Sequence, residues 1–486
     1  MKQGILTAVL AYEIITIVII GLWVNYSQAR RAKGVDVFTH AGHGLPVPAV
    51  ALTLALTVLG AVHVIGVFEL TWQLGAAVLW FSFAHVILLC VICLATGRWV
   101  RRLRITTVPQ LLESSYGLET RLLVTCAMIG VVFGILTLEA QGLGVLFYTM
   151  TGWPIHIGGI VGSVLGLLYV ILAGMREITY LNIINAVVMY VALILAVVFI
   201  GIALPGDGYN TVAEVHRTAG NERLMDPIGD LAVIMAFGLP IVLAVVMSQS
   251  VSQMTLQTAM SARSERTLKR SMWIAAPVNG MFAVFAVILA LAAMSLPEYA
   301  DRGAKVATTD MLIELLPSWL AALLLAAFVG VILSTFAMVA LASSTLFAND
   351  IYKRLYQPEA SEADVTRVTR IGIVVFGTLG MFVAMFMPPI LSGGAWLLAW
   401  LTPVFLIVVF GLFWKRNQRV VITALIVAWI LNSAWSFTDL PKWLGLDGLH
   451  NVYITLFSSL TIMMLGSVFL GGEPGLMKAK SRSETA

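Results

Sequence analysis

The chain has 486 residues, of which 60% are hydrophobic and only 11% are charged. A mean hydropathy of +0.95 leaves too little charged surface for water-soluble globular domains and predicts an all-α protein embedded in a lipid bilayer. The formal net charge of +4 comes from short loops between apolar stretches and does not indicate a nucleic-acid partner.

Apolar runs of about twenty residues recur along the chain, and a helix of that length crosses the hydrocarbon core. Thirteen such runs predict thirteen membrane helices, numbered here in chain order. Their predicted limits are 5–25, 46–70, 74–97, 120–149, 154–174, 178–204, 229–252, 271–296, 318–348, 366–388, 390–413, 419–437 and 450–471.

Basic residues concentrate in alternate loops. If the N-terminus is outside, the cytoplasmic loops hold 23 of the 29 Lys and Arg residues, as the positive-inside rule requires. The pattern predicts a multi-pass protein of the plasma (cytoplasmic, inner) membrane with an outer N-terminus and a cytoplasmic C-terminus. The cytoplasmic set begins with Arg30, Arg31 and Lys33, includes Arg104, and ends with Lys478, Lys480 and Arg482.

Two predicted helices carry interruptions. Helix 2 is interrupted at 60–66, where glycines flank a histidine, and helix 7 carries Gly238 and Pro240 before the polar run 248–253. The two helices are five crossings apart and therefore run in opposite directions, as expected of the discontinuous first helices of two inverted repeats. The alternative is that the glycines only allow helices to pack closely.

Predicted helix 9 contains adjacent hydroxyls, Ser334 and Thr335, in a strongly apolar segment. Such hydroxyls often bond back to their own helix backbone. Alkali cations, however, need hard oxygen ligands, which a hydroxyl pair facing unwound carbonyls supplies without a carboxylate. Both interpretations stay open on the residues alone.

Several separated segments resemble the sodium:solute symporter family, the group that contains the sodium/proline and sodium/glucose symporters. Their order along the chain agrees with the topology that the basic loops predict. The matching positions are 44–48, 101–112, 140–142, 151–154, 174–177, Gln253, Gln257, Ser334, Thr335, 350–353 and 411–416.

The resemblance implies a leucine-transporter-type core of 5+5 inverted repeats that works by alternating access. Residues 1–45 would form a peripheral first helix and a cytoplasmic loop. The first repeat would cover 46–204, helices 2 to 6, and the second would cover 229–413, helices 7 to 11. Residues 414–486 would add two peripheral helices and a tail.

The resemblance also implies a Na⁺ site, carried over residue by residue. Its ligands would be the backbone carbonyls of Ala61, Val64 and Val331 and the hydroxyls of Ser334 and Thr335.

The sequence departs from the family at two positions where members often carry acids. His63 stands where proline-transporting members have an aspartate, and Asn182 stands where many members have one. A histidine titrates near physiological pH, so His63 could carry a proton or hydrogen-bond an anionic substrate, or simply bond a neighbouring carbonyl. H⁺ therefore remains an alternative coupling ion.

Ionisable residues inside membrane helices are functional candidates because burying them unpaired is costly. Glu139, with Gln141 beside it, is the leading candidate for a substrate contact or a proton carrier, and Phe237 is a candidate apolar contact. The roles of His85 and Glu13 are left open; for Glu13, on the peripheral first helix, packing or a pair on the lipid side is expected rather than transport.

Together these features predict a secondary active transporter that couples Na⁺ to symport of a small organic solute, such as an amino acid or a monocarboxylate. Alternatives are a proton-coupled symporter using His63 or Glu139, and a transporter-like solute sensor. The sequence shows no catalytic motif that would predict an enzyme and no filter-like repeat that would predict a channel. Besides the solute and lipid, no partner is expected; the chain is predicted to be a monomer, with an oligomer left open.

Overall fold

A computed structural model describes residues 2–29, 35–103, 105–172, 174–386 and 390–477. Within these residues every predicted apolar run lies mostly on helix. Eleven helices of the described chain are long and apolar enough to cross a membrane, judged by length and composition, and two apolar helices are shorter. The basic residues Arg30, Arg31, Lys33, Arg104, Lys478, Lys480 and Arg482 lie outside the described residues.

The apolar helices keep the numbers of the predicted runs. Their observed bounds are: helix 1, Lys2–Ala29; helix 2, Val47–Thr57, Val62–Gly66 and Val67–Leu74; helix 3, Leu79–Val91, Ile92–Thr96 and Gly97–Leu103; helix 4, Leu118–Thr151; helix 5, Ile155–Ile171; helix 6, Met175–Ala203; helix 7, Leu231–Val233, Ile234–Gly238 and Leu239–Gln249; helix 8, Glu265–Ser295; helix 9, Ser318–Leu346 and Phe347–Tyr356; helix 10, Glu362–Val383; helix 11, Ile390–Phe413; helix 12, Gln418–Phe437; helix 13, Asn451–Phe469.

Shorter elements connect these helices. The helical ones are Val35–His40, Ala41–His43, Gly75–Val78, Val108–Tyr116, Tyr209–Thr218, Glu222–Met225, Gln253–Met260, Pro297–Ala300, Ala307–Leu315 and Leu440–Trp443, and the two strands Lys415–Arg416 and Glu473–Pro474 pair antiparallel.

Helix 9 forms the centre of the protein. Every residue from 324 to 346 is buried, and helices 1, 4, 5, 6 and 10 pack around it. Gly330 allows close packing, because a Cβ there would fall within 3.0 Å of the Asn185 amide on helix 6. Helix 1 instead exposes Ile14, Ile15 and Ile19, as expected of a helix that faces lipid.

Buried ion pairs tie the helix ends together on the face that carries most basic residues. Arg121 on helix 4 lies 2.5 Å from Asp350 at the end of helix 9, and it also pairs with Glu113. The hydroxyl of Thr107 donates to Asp350 at 2.9 Å. Since removing one partner of a buried pair leaves an uncompensated charge, these contacts fix how helix 9 ends against helix 4.

On the same face a backbone bridge joins the start of helix 2 to the chain that follows helix 7. The N–H of Leu45 donates to the carbonyl of Ser261 at 3.0 Å, and the N–H of Arg263 donates back to Leu45 at 3.1 Å. Residues 250–252 interrupt the helix before this bridge, inside the polar run. Helix 7 remains helical through Gly238 and Pro240, so its interruption lies further along the chain than these two residues suggest.

Candidate functional site

The break in helix 2 is the first element of the site. The helix ends at Thr57, residues 58–60 are not helical, and a wide helical turn follows at Val62–Gly66. The carbonyl of Leu56 accepts a short-range bond from the N–H of Leu59 at 3.1 Å. The break therefore leaves the last carbonyls of the first half without regular bonds from the next helical turn.

The hydroxyl pair of helix 9 faces this break. Thr335 Oγ1 lies 3.2 Å from the carbonyl oxygen of Leu56 and 3.5 Å from that of Val331. The hydroxyl of Ser334 is buried and has no hydrogen-bond partner among the described residues. Because buried hydroxyls are normally paired, this group of oxygens has the chemistry of a cation site.

Ala61 and Val64, predicted to offer carbonyls from unwound backbone, lie in the resumed helix instead. Ala61 has right-handed helical dihedral angles, and the N–H of Val64 donates to the carbonyl of Gly60 at 3.0 Å. The break comes earlier because helical bonding restarts at Gly60. It is Leu56, before the break, whose carbonyl contacts the Thr335 hydroxyl.

A cavity of about 230 Å³ adjoins these oxygens. Its walls come from helices 2, 3, 4, 7, 9 and 11 and from the residues before helix 13. Among the predicted site residues His63, Glu139, Phe237 and Thr335 line it together. The structure thus brings the predicted substrate residues of three helices beside the hydroxyl pair of helix 9.

Gln141 is the predicted substrate residue that does not line this cavity. Its side-chain amide donates to the carbonyl of Ala384 at 2.8 Å, and it lines a different cavity with His156. Side chains two positions apart on a helix point about 200° apart. Glu139 and Gln141 therefore face opposite directions.

Glu139 closes the break from the side of helix 4. The residue is 2% exposed, and its carboxylate accepts the backbone N–H of Ala61 at 2.8 Å. This N–H lies in the first turn of the resumed helix, where backbone N–H groups have no partner within the helix. The same end of the helix carries the positive end of the helix dipole. The carboxylate therefore has a defined structural partner at the edge of the cavity.

Two histidines meet in the wall of the cavity that Glu139 also lines. The rings of His63 and His85 lie edge to face with their centroids 4.3 Å apart, and both line the cavity. His85 Nδ1 lies 2.8 Å from the carbonyl of Phe81, which only accepts, so this nitrogen carries the proton. His63 Nε2 is buried without a hydrogen-bond partner in the described chain.

Other lining residues have no clear sequence signal. Gln249 lines the cavity at the interruption of helix 7, where the polar run was the only indication. Thr57 lines it at the end of the first half of helix 2. His450 precedes helix 13, which the sequence assigns to the periphery, yet its ring also lines the cavity.

Asn182 and Glu13 lie away from the cavity lining. Asn182 accepts a hydrogen bond from the hydroxyl of Tyr169 at 3.1 Å. Glu13 on helix 1 is fully buried, and neither carboxylate oxygen has a partner among the described residues. Its neighbour Tyr12 donates to Asn185 at 2.8 Å.

An internal cavity between two interrupted helices, beside buried hydroxyls on a third, is the arrangement of a secondary transporter. The model of the sodium:solute symporter family matches residues 38–428. The chain belongs to this family. It is accordingly a membrane transporter and not an enzyme, and it couples Na⁺ to symport of a small solute by alternating access.

Two curated proteins have similar sequences. The uncharacterized symporter YidK of Escherichia coli (strain K12) is 24% identical over 400 residues, which cover 77% of this chain and 69% of YidK. The sodium/mannose cotransporter SLC5A10 of Bos taurus is 24% identical over 371 residues, which cover 65% of this chain and 59% of the cotransporter.

Solved structures confirm the leucine-transporter type of fold. The substrate-bound, outward-open state of a Na⁺-coupled sialic acid symporter has a TM-score of 0.81 at 16% identity, covering 96% of this chain and 97% of the symporter. MhsT in complex with L-phenylalanine has a TM-score of 0.53 at 14% identity, covering 86% of this chain and 97% of MhsT.

Proposed function

We propose that this symporter binds Na⁺ between the first half of helix 2 and the middle of helix 9. The ligands are the hydroxyls of Ser334 and Thr335 and the carbonyls of Val331 and Leu56. Leu56 takes the place expected for Ala61 and Val64. The proposal rests chiefly on the 3.2 Å contact between the Thr335 hydroxyl and the Leu56 carbonyl beside the unpaired Ser334 hydroxyl.

The solute is proposed to bind in the adjoining cavity. At about 230 Å³, with mostly apolar walls including Phe237, the cavity suits a small and partly apolar molecule. Its ionisable groups are the carboxylate of Glu139 and the imidazoles of His63, His85 and His450. An amino acid or a monocarboxylate fits this combination, because the acid attracts an ammonium group and imidazoles donate to a carboxylate.

The cation and solute sites are proposed to share Thr335, which contacts Leu56 and also lines the cavity. Na⁺ bound to Thr335 and Leu56 would hold the end of the first half of helix 2, and this segment forms part of the cavity wall. Bound Na⁺ therefore favours one shape of the solute cavity, which is the differential binding that coupling requires.

Sodium binding can be tested without knowing the solute. Na⁺ replacing choline should raise the melting temperature of the purified wild-type protein, because an ion that binds the folded state stabilises it. Ser334→Ala combined with Thr335→Ala should abolish this response. Ser343→Ala combined with Ser344→Ala is the matched control, since those hydroxyls on the same helix bond back to Val339 and Ala340. An unchanged response in the first variant would refute the site.

The finer topology is also a proposal. We place the N-terminus outside and the C-terminus in the cytoplasm of the plasma membrane, on the distribution of Lys and Arg. The repeats are proposed to cover 46–204 and 229–413. Thiol labelling of single cysteines introduced at the exposed residues Glu359 and Gly220 would test the orientation: only the former should react from the cytoplasmic side.

A further inference from the structure

The segment that leads into helix 2 gathers three metal-binding side chains outside the cavity described above. Asp36 Oδ1 lies 3.9 Å from His40 Nδ1 and 4.0 Å from His43 Nε2. One ligand atom from each residue lies within 4.8 Å of the others. The two imidazole rings stack with their centroids 5.3 Å apart. Ligand atoms bound to one tetrahedral Zn²⁺ lie about 3.4 Å apart, so the three atoms would have to approach one another by about 0.5–1.5 Å to bind one ion.

An unusual backbone brings His43 next to His40. Ala41, Gly42 and His43 have φ angles of 54°, 65° and 53°, and among the described residues Ala41 and His43 are the non-glycine residues with positive φ. Such conformations are strained for residues with a side chain and persist where surrounding contacts enforce them. Here Arg176 donates to the carbonyl of Ala41 at 3.2 Å.

The hydrogen bonds of His43 orient it as a ligand. Its Nδ1 lies 2.8 Å from the carbonyl oxygen of Met260, which can only accept, so Nδ1 carries the proton. Nε2, the nitrogen nearer Asp36, then has a free lone pair. A backbone carbonyl that holds the distal ring nitrogen is the usual outer contact of a metal-bound histidine.

His40 is the buried member of the group. Its ring is 1% exposed, Nδ1 lies 2.8 Å from the hydroxyl of Thr39, and Nε2 has no partner among the described residues. Coordination at Nδ1 would use the atom that already faces Asp36, with the Thr39 hydroxyl rotating away.

The surroundings limit the kind of ion. The three residues line a cavity of about 410 Å³ with Arg101, whose guanidinium donates to Met260 at 2.6 Å. This positive charge opposes ions held by charge alone, such as Mg²⁺. Two imidazoles and one carboxylate favour a first-row transition metal such as Zn²⁺, which forms stronger bonds to nitrogen.

We propose that Asp36, His40 and His43 bind one divalent transition-metal ion, and that this ion braces the start of helix 2 against the chain after helix 7. The segment is already attached there: His43 contacts Met260, and Gln257 donates to the carbonyl of Thr39 at 2.8 Å. The metal would hold these contacts in place and slow any movement that separates the start of helix 2 from the segment after helix 7. Metal binding does not depend on the proposed sodium site. Only the predicted slowing of this movement rests on the proposed function as a transporter.

The test uses the full-length protein, stripped with a chelator and titrated calorimetrically with Zn²⁺. One ion per chain is expected, with no comparable binding of Mg²⁺. His43→Ala and His40→Ala should each weaken Zn²⁺ binding about tenfold or more. His156→Ala is the control, because that exposed histidine lies outside the group. Asp36→Asn, at an exposed position, covers the case in which a histidine variant fails to fold.

Three outcomes would overturn the proposal. The first is no stoichiometric Zn²⁺ binding to the wild type. The second is binding that survives in the His40→Ala, His43→Ala double variant. The third is stabilisation by inorganic phosphate that Arg101→Gln abolishes, with no stabilisation by Zn²⁺, which would identify an anion site instead.

In proteoliposomes, Zn²⁺ on the side of the basic loops should slow uptake by the wild type and not by His43→Ala.

Discussion

The carboxylate of Glu139 on helix 4 accepts the backbone N–H of Ala61 at 2.8 Å, at the point where helix 2 resumes after its break. One side chain thus caps the second half of helix 2 and lines the cavity where the solute is proposed to bind. The stability of the break and the proposed recognition of the solute therefore involve the same carboxylate.

Gly60→Ala should disturb this contact. A Cβ at Gly60 would fall closer than 3.0 Å to the Glu139 carboxylate, so one of the two must move. We expect a loss of about 1–3 kcal/mol in stability, as for other overpacked sites, and a marked loss of transport. Melting temperature and sodium-driven uptake would measure both. Gly4→Ala, where nothing lies within 4 Å of the added Cβ, should change neither.

Two substitutions at Glu139 separate its structural role from its charge. Glu139→Gln keeps an oxygen that accepts the Ala61 N–H, so the melting temperature should stay near that of the wild type while transport falls. Glu139→Ala leaves a buried N–H unpaired and should lower the free energy of unfolding by about 1–3 kcal/mol relative to Glu139→Gln. Equal melting temperatures for the two variants would show that the cap contributes little.

His63→Gln should flatten the pH dependence of uptake. His63 lies against His85 in the cavity, and two protonated imidazoles at a 4.3 Å centroid separation would repel each other. A change of protonation at this pair therefore alters the cavity electrostatics. Sodium-driven uptake between about pH 4 and 8 is the measurement, because this range extends below the pH at which an isolated imidazole takes up a proton. His156→Gln, outside the cavity, should keep the wild-type profile; a wild-type profile for His63→Gln would exclude this role.

Glu113 should contribute to stability in a pH-dependent way. The hydrogen bond from Arg354 holds the pKa of Glu113 below its usual value, and Arg121 acts in the same direction, while partial burial opposes them. A lowered pKa in the folded state stabilises the protein above the unfolded pKa of about 4.3, and this contribution disappears as the pH falls through the folded pKa.

The melting temperature of Glu113→Gln should therefore lie below that of the wild type at pH 7, and the difference should shrink as the pH falls below about 4. Glu359→Gln serves as the control because Glu359 is exposed. A difference that stays constant from neutral to acidic pH would show that the ion pairs of Glu113 do not stabilise the fold.

The sequence predicts the helices well because hydropathy measures the property that places them in lipid. It also predicts Ser334 and Thr335 as a polar pair, since two hydroxyls in an apolar helix need an explanation. Which carbonyls face that pair depends on backbone dihedral angles near Gly60, and composition carries no information about them. The contact between Thr335 and the carbonyl of Leu56 therefore had no signal in the sequence.

Side-chain direction explains two other differences. Glu139 lines the cavity and Gln141 does not, because two-residue spacing separates side chains by about 200° on a helix. His450 lines the cavity from a loop, where no periodicity predicts direction. Tertiary packing alone brings the start of helix 13 to the cavity.

The backbone bridge between Leu45 and the pair Ser261 and Arg263 restricts how this protein can change shape. Leu45 leads into the first interrupted helix, and its two hydrogen bonds attach it to the chain leaving the second. If the bridge persists through the cycle, helices 2 and 7 must travel as one rigid unit on this face, and the hinges must lie elsewhere. If it breaks, the separation of these two backbones is part of the conformational change on this face.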